Sequence, residues 1–188
     1  MANNIANKLI VTAKTQAEIE DFLNAIEGEE NCKKLHIDFE RIIPMPEALR
    51  YTKFSTEETD ALYYFLMTTN KENLVSKVLR FPQFYSMDKY INKKEEELTK
   101  LKEYGEELYK VYLTYGCYNW YDWRVYNWGT KWNAYHTSTG DMDDENKYTL
   151  YFQTAWSHPY PVLEKLVSMF PELEFDYKFA DEDFSYNT

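Results

Sequence analysis

Residues 117–136 (CYNWYDWRVYNWGTKWNAYH) limit what this chain can fold into more than any other stretch. They hold Trp120, Trp123, Trp128 and Trp132, four of the five tryptophans, with Tyr118, Tyr121, Tyr126 and Tyr135 among them. A surface this aromatic must be sealed against other elements or offered to a partner. Asn127-Trp128-Gly129-Thr130 reads as a turn, because Asn tolerates and Gly permits positive φ. Residues 123–126 and 131–136 then read as two strands of a hairpin. A helix is the rival reading, since the four tryptophans fall roughly on one helical face. Gly129, the asparagines and the bulky aromatics favour the hairpin.

The flanking sequence supplies the rest of a layered fold. Residues 8–13 (KLIVTA) form a strand, and Thr15 with Glu18 is a capping box opening a helix with Ile19, Phe22, Leu23 and Ile26 on its inner face. Residues 34–43 (KLHIDFERII) alternate as a second strand, with Leu35, Ile37, Phe39 and Arg41 on one side. After the hairpin, residues 148–156 (YTLYFQTAW) read as a strand, and Val162, Leu163, Leu166, Val167 and Phe170 mark a helix. Residues 173–179 (LEFDYKF) close the pattern as a last strand. Two β-α-β units of similar length predict an α+β fold, a split β-α-β antiparallel sheet with helices on one face. Between them, residues 55–115 read as helical: Ser55 with Glu58 caps one helix, a short one spans 72–79, and 92–112 carries the longest apolar repeat. The expectation is one domain over residues 1–188 with a helical insertion at about 55–115.

The net charge is −11 and it is uneven. Residues 138–188 hold eleven Asp or Glu against Lys147, Lys165 and Lys178, which leaves −3 for the first 137 residues. Such a chain repels bare nucleic acid, whose binding rests on Lys and Arg, so direct DNA binding is not expected. An acidic surface can instead meet a basic partner, including another protein's nucleic-acid groove. Cys32 and Cys117 fit no metal spacing, and two lone cysteines point to a reducing compartment. The segment MANNIANKLIVTA has no basic region ahead of a long apolar core, and no apolar run reaches bilayer length. A soluble cytosolic protein is expected, with no membrane association.

Catalytic chemistry finds residue types without spacing. Cys32, Cys117, His36, His136 and His158 could supply a nucleophile and a base, but nothing in the sequence ties them together. His158 is the best candidate for proton transfer. Asp181, Glu182 and Asp183 could gather with Asp141 or Asp143 to hold Mg²⁺ for a nuclease. The acidic loop carrying Asp141, Asp143 and Asp144 fails the calcium-loop test, because the sixth and twelfth positions from Asp141 hold Asn146 and Phe152. The glycines are too scattered for a phosphate loop, and no cofactor is expected. Arg124 and Lys131 beside the Trp-Gly-Thr-Lys-Trp turn could contact phosphates. The plainer reading is that Trp123, Trp128, Trp132 and Trp156 seal the sheet against its helices, any exposed remainder marking a protein interface.

One set of motifs goes further. Asp38-Phe39 with Ile42-Ile43-Pro44-Met45-Pro46, Trp128-Gly129-Thr130-Lys131-Trp132-Asn133-Ala134, Thr154-Ala155-Trp156-Ser157 with Pro159, Phe170-Pro171 and Ala180-Asp181-Glu182-Asp183 occur in this order. The set resembles the YubB-type ferredoxin-like domain family of phage and plasmid proteins. The resemblance implies a ferredoxin-like fold without an iron–sulfur cluster and a mobile-element origin, and it extends to anti-CRISPR inhibitors. The expected function is inhibition of a host defence nuclease loaded with guide RNA, by binding and not by catalysis. Trp123, Arg124, Trp128, Lys131, Trp132, Asp141, Asp143 and Asp144 are the candidate binding residues. The alternative is a small metal-dependent or His-assisted ribonuclease acting on guide or other RNA through His158, Asp181 and Asp183, with Arg124 and Lys131 holding substrate.

Overall fold

The computed structural model describes residues 3–30, 33–140 and 146–182. The chain divides into two compact units, one made of Met1–Met45 with Arg124–Thr188 and the other of Pro46–Trp123. In chain order the strands are β1 (Asn4–Thr12), β2 (Gly28–Glu30), β3 (Lys33–Leu35), β4 (Tyr135–Thr139), β5 (Lys147–Ala155) and β6 (Glu174–Asp181). The α-helices are α1 (Gln16–Ile26), α2 (Phe39–Ile42), α3 (Glu47–Arg50), α4 (Thr56–Thr68), α5 (Val75–Val78), α6 (Glu95–Tyr115), α7 (Trp120–Asn127) and α8 (Tyr160–Met169).

The first unit is built on a four-stranded antiparallel sheet in the order β4-β5-β1-β6. The hairpin β4-β5 and the crossover β5-α8-β6 place β1 between β5 and β6, which is the expected split β-α-β, ferredoxin-like arrangement of an α+β fold. Strand periodicity explains its core: Ile5, Leu9 and Val11 of β1 and Leu150 and Phe152 of β5 are buried on one face. Ile19, Phe22 and Ile26 of α1 and Val162 and Leu166 of α8 are also buried. Phe22 meets Phe170 and Phe175 at 5.3 and 5.9 Å, so both helices and β6 share one aromatic joint. Helix α1 begins as the sequence requires, with the reciprocal Thr15–Glu18 capping box present.

Two expectations about local structure are corrected. Residues 34–43 are not one strand: β3 ends at Leu35, and the Asp38 carboxylate accepts from the Glu40 N–H at 2.9 Å to cap α2. Leu35, Ile37 and Phe39 are buried as alternation predicts, but Ile42 is buried too, so the period switches from two to three at Phe39. Arg41 is exposed, and its guanidinium donates to the Asn24 and Ala25 carbonyls at the end of α1. Residues 123–126 and 131–136 are not paired strands either. Asn119 accepts from the Asp122 N–H at 2.8 Å and donates to the Asp122 carboxylate at 2.8 Å, which starts α7. Gly129, at φ +77°, follows the helix end where the Trp128 N–H donates to the Arg124 carbonyl at 2.7 Å. The Asn-Trp-Gly signal therefore closes a helix, and β4 starts only at Tyr135.

The second unit is helical. Ala61, Leu62, Phe65 and Leu66 of α4 join Val75, Val78 and Leu79, Tyr90, and Leu108 of α6 in one buried cluster. Glu58 is buried at 1% exposure beneath this layer. Its carboxylate accepts hydrogen bonds from the Ser55 hydroxyl and, at 2.8 Å, from the Tyr104 hydroxyl. Burial, the largest influence, pushes the carboxyl up, but these two hydrogen bonds, a backbone hydrogen bond at Glu58 and the charge of Lys53 together hold the group below the ordinary 4.5. A carboxyl held lower in the folded state stabilises the fold above its unfolded pKa, and that stability is lost as pH falls through the folded value. Glu58→Gln is expected to flatten the acid side of the stability profile below roughly pH 4.5, where the wild type loses stability. Urea midpoints across that range check it. Among the described residues, no helix is long and apolar enough to cross a membrane.

Candidate functional site

The segment after α7 is organised around Trp128, which is fully buried. Its ring meets Phe39 edge-on at 5.8 Å, its Nε1 donates to the Ile43 carbonyl at 2.9 Å, and the Arg124 guanidinium lies over it at 4.8 Å. Phe39 in turn meets Phe152 of β5 at 6.1 Å, so α2, the loop and the sheet are joined by one aromatic run. Buried Thr130 donates to the Ala155 carbonyl at 2.8 Å and accepts from the Ala155 N–H at 3.2 Å, extending the hydrogen bonding of β5 past its own ladder. The Ser157 hydroxyl donates to the Gly129 carbonyl, and Thr154 donates to the Ser157 carbonyl at 2.8 Å. Asn133 accepts from the Phe39 N–H at 2.8 Å and from the Ala134 N–H at 2.9 Å while donating to Asp38 at 2.8 Å.

The residues that stood out as motifs therefore meet in space, and they meet as a structural interlock. Asp38, Phe39, Ile43, Trp128, Thr130, Asn133, Thr154 and Ser157 satisfy one another. Each buried donor with a partner is spared the cost of desolvation. Asn133→Ala removes one acceptor for two backbone N–H groups and one donor to Asp38. It is expected to cost about 2 kcal/mol, read as a shift in the urea midpoint.

What this interlock leaves outside is the site. Trp132 is 40% exposed, with the Lys131 ammonium over its ring at 5.1 Å and Tyr135 edge-on at 6.2 Å. Together with Glu30, Arg124 and Asn133, Trp132 and Tyr135 line a shallow concavity of about 260 Å³. The Arg124 guanidinium, besides covering Trp128, lies 3.9 Å from the Glu40 carboxylate, which accepts from the Met45 N–H at 3.0 Å. Of the candidate binding residues, then, Arg124, Lys131 and Trp132 come together at a surface, Trp128 lies beneath them, and Trp123 is buried. Asp141, Asp143 and Asp144 lie outside the described residues, as do Asp183 and Cys32.

Among the described residues, the catalytic candidates are not assembled. The His158 ring stacks on Phe179 at 4.3 Å and 17°. Among the described residues, no hydrogen bond or ion pair joins it to Asp181, which is exposed on β6 opposite Ile5. His136 bonds the Gln153 amide at 2.8 Å, and His36 lies 3.6 Å from Glu27. Cys117 is buried, and burial with nearby Asp122 pushes its thiol up to about 11, far from a reactive thiolate. Among the described residues, no group of three His, Cys, Asp or Glu is placed to hold a metal ion. Trp156, expected to help seal the sheet, does not: it is 59% exposed and held at φ +74°. Its N–H donates to the Asn3 carbonyl at 2.9 Å. A left-handed tryptophan is an outlier that no spacing rule announces.

Residues 128–188 match the family model of the ferredoxin-like domain in Api92-like protein. The chain carries a ferredoxin-like domain. The match begins at Trp128, the residue on which the interlock is built, and takes in β4, β5, α8 and β6. No curated protein and no solved structure matches the chain.

Proposed function

We propose that this ferredoxin-like chain is a protein-binding module that inhibits a nuclease of a host defence system by occupying the groove that holds its nucleic acid. The observation that carries the reading is Trp132, exposed beside Lys131 and Tyr135 on a backbone fixed by the buried Trp128. A rigid aromatic anchor on a preorganised loop is the composition of an interface hot spot. The acidity of residues 138–188 supports a basic partner and opposes bare nucleic acid. On this reading the chain is a YubB-type protein of a phage or plasmid, acting in the host cytosol in the manner of an anti-CRISPR inhibitor. Asp141, Asp143 and Asp144 contribute negative charge toward the basic partner. Reversing those three charges weakens binding and makes it less sensitive to salt.

Affinity capture from a bacterial lysate tests the proposal, with retained protein and RNA both identified. The expected result is a guide-RNA nuclease carrying RNA of native length, whose cleavage of target is suppressed by the chain. The same nuclease with RNA shortened in a chelator-sensitive way would replace the proposal with the RNA-processing reading. Capture of a nuclease that cleaves its target at the normal rate would contradict it.

A further inference from the structure

Among the described residues the sheet ends on β6, and hydrogen-bond phase shows which of that strand's groups are unused by them. The Glu182 N–H donates to the Asn4 carbonyl at 2.8 Å, and the register then runs from Ile5 opposite Asp181 to Thr12 opposite Glu174. Hydrogen-bonded and non-hydrogen-bonded pairs alternate along an antiparallel ladder. Asp176, Lys178 and Ala180 therefore turn their N–H and C=O groups toward β1, and Phe175, Tyr177 and Phe179 turn theirs to the open edge. The other side of β1 agrees, because the Trp156 N–H donates to the Asn3 carbonyl and so puts the odd-numbered residues of β1 in phase with β5.

Phe175, Tyr177 and Phe179 also share a face with buried Leu9, the face that α8 covers. Between β6 and α8 lies an apolar groove of about 530 Å³, lined by Leu163, Val167, Phe175 and Tyr177 with Glu164 at its side. Val167 is 53% exposed, so the groove is open to an incoming side chain. Glu174, Asp176 and Asp181 are exposed along the strand, and Lys178 lies 3.9 Å from Asp176. Edge amides unused among the described residues, an adjoining apolar groove and an acidic margin coincide on one strand.

We propose that β6 takes up an extended basic segment of a partner protein as a fifth strand, its alternate apolar side chains entering the groove beside α8. Main-chain pairing at an edge gives affinity, and the groove gives specificity. The charge argues against a second copy of this chain as occupant, since pairing two β6 strands would set acidic residues against each other. The site does not include Trp132, so its failure would leave the previous proposal standing.

The probe is the blocked peptide Lys-Val-Lys-Leu-Lys-Val-Lys added to the ¹⁵N-labelled full chain, with amide exchange followed by NMR. Exchange at Phe175, Tyr177 and Phe179 is expected to slow about tenfold or more, while Asp176 and Lys178, already bonded to β1, change little. Val167→Glu should abolish the protection without moving the urea midpoint, and a peptide N-methylated at alternate residues should give none. Binding that leaves those three amides unprotected, equal binding to Val167→Glu, or no saturation by about 1 mM peptide would overturn the proposal. Protection of the same amides by raising the protein concentration alone would also overturn it, in favour of self-association.

Discussion

Trp128→Ala is expected to lower the unfolding free energy of the ferredoxin-like unit by about 4 kcal/mol, while Trp132→Ala changes it by less than about 1 kcal/mol. The two residues stand four apart in one loop and differ in everything but type. Truncating Trp128 empties a fully buried site, leaves the Ile43 carbonyl without its indole donor, and removes the ring beneath the Arg124 guanidinium and beside Phe39. Truncating Trp132 uncovers solvent-facing contacts with Lys131 and Tyr135. Trp128→Phe should lie between the wild type and Trp128→Ala, because it keeps aromatic volume and loses the hydrogen bond. Urea denaturation followed by far-UV circular dichroism separates the three variants. Equal losses at both tryptophans would mean that Trp132 belongs to the core and is not an interface anchor.

Gly105→Ala is expected to destabilise the helical unit by about 2 kcal/mol or more, against the sign that helix propensity gives. Gly105 lies inside α6, where alanine is ordinarily better by up to about 1 kcal/mol. A Cβ at that position would stand 2.1 Å from the Ala61 carbonyl oxygen and 2.6 Å from the Phe65 Cβ. Its obstacle is therefore the backbone of α4, not the end of a flexible side chain. To admit the methyl group, α4 must move off α6, and the cluster of Leu62, Phe65, Leu66 and Leu108 opens with it. Thermal or urea unfolding of Gly105→Ala measures the effect. A gain in stability would show that the two helices do not approach this closely.

The contrast between those two positions shows where the sequence is informative. Strands β1, β5 and β6 and helices α1 and α8 were legible because alternation, the Thr15–Glu18 box and the prolines at 159, 161 and 171 act over a few residues. The α+β class with its ferredoxin-like sheet followed from their order. Asp38 misled because Leu35, Ile37 and Phe39 are buried in alternation up to the point where a capped turn of helix takes over. The aromatic stretch misled because Asn127-Trp128-Gly129 has the composition of a hairpin turn and the conformation of a helix end. Asn119 and Asp122, three apart, were the available signal for the helix.

The site was half legible. Trp123, Arg124, Trp128, Lys131, Trp132, Asp141, Asp143 and Asp144 were singled out as a group; the structure sets Arg124, Lys131 and Trp132 around buried Trp128, buries Trp123, and the three aspartates lie outside the described residues. Which tryptophan is inside depends on Phe39 and Ile43, some ninety residues earlier, and no local pattern carries that. His158 attracted attention as a titratable residue at a helix start, yet its ring packs face-on against Phe179. Nothing near Gly105 in the sequence reveals the close passage of α4, because that contact spans more than forty residues.

The most direct measurement is a parallel capture with wild-type and Trp132→Ala chains as bait from one bacterial lysate, with the urea midpoints of both baits recorded. The expected result is a nuclease retained by the wild type and lost by Trp132→Ala, with unfolding free energies from the urea curves that agree to within about 1 kcal/mol. The same nuclease retained equally by both baits would contradict the claim that this ferredoxin-like chain acts through the tryptophan its interlock leaves outside.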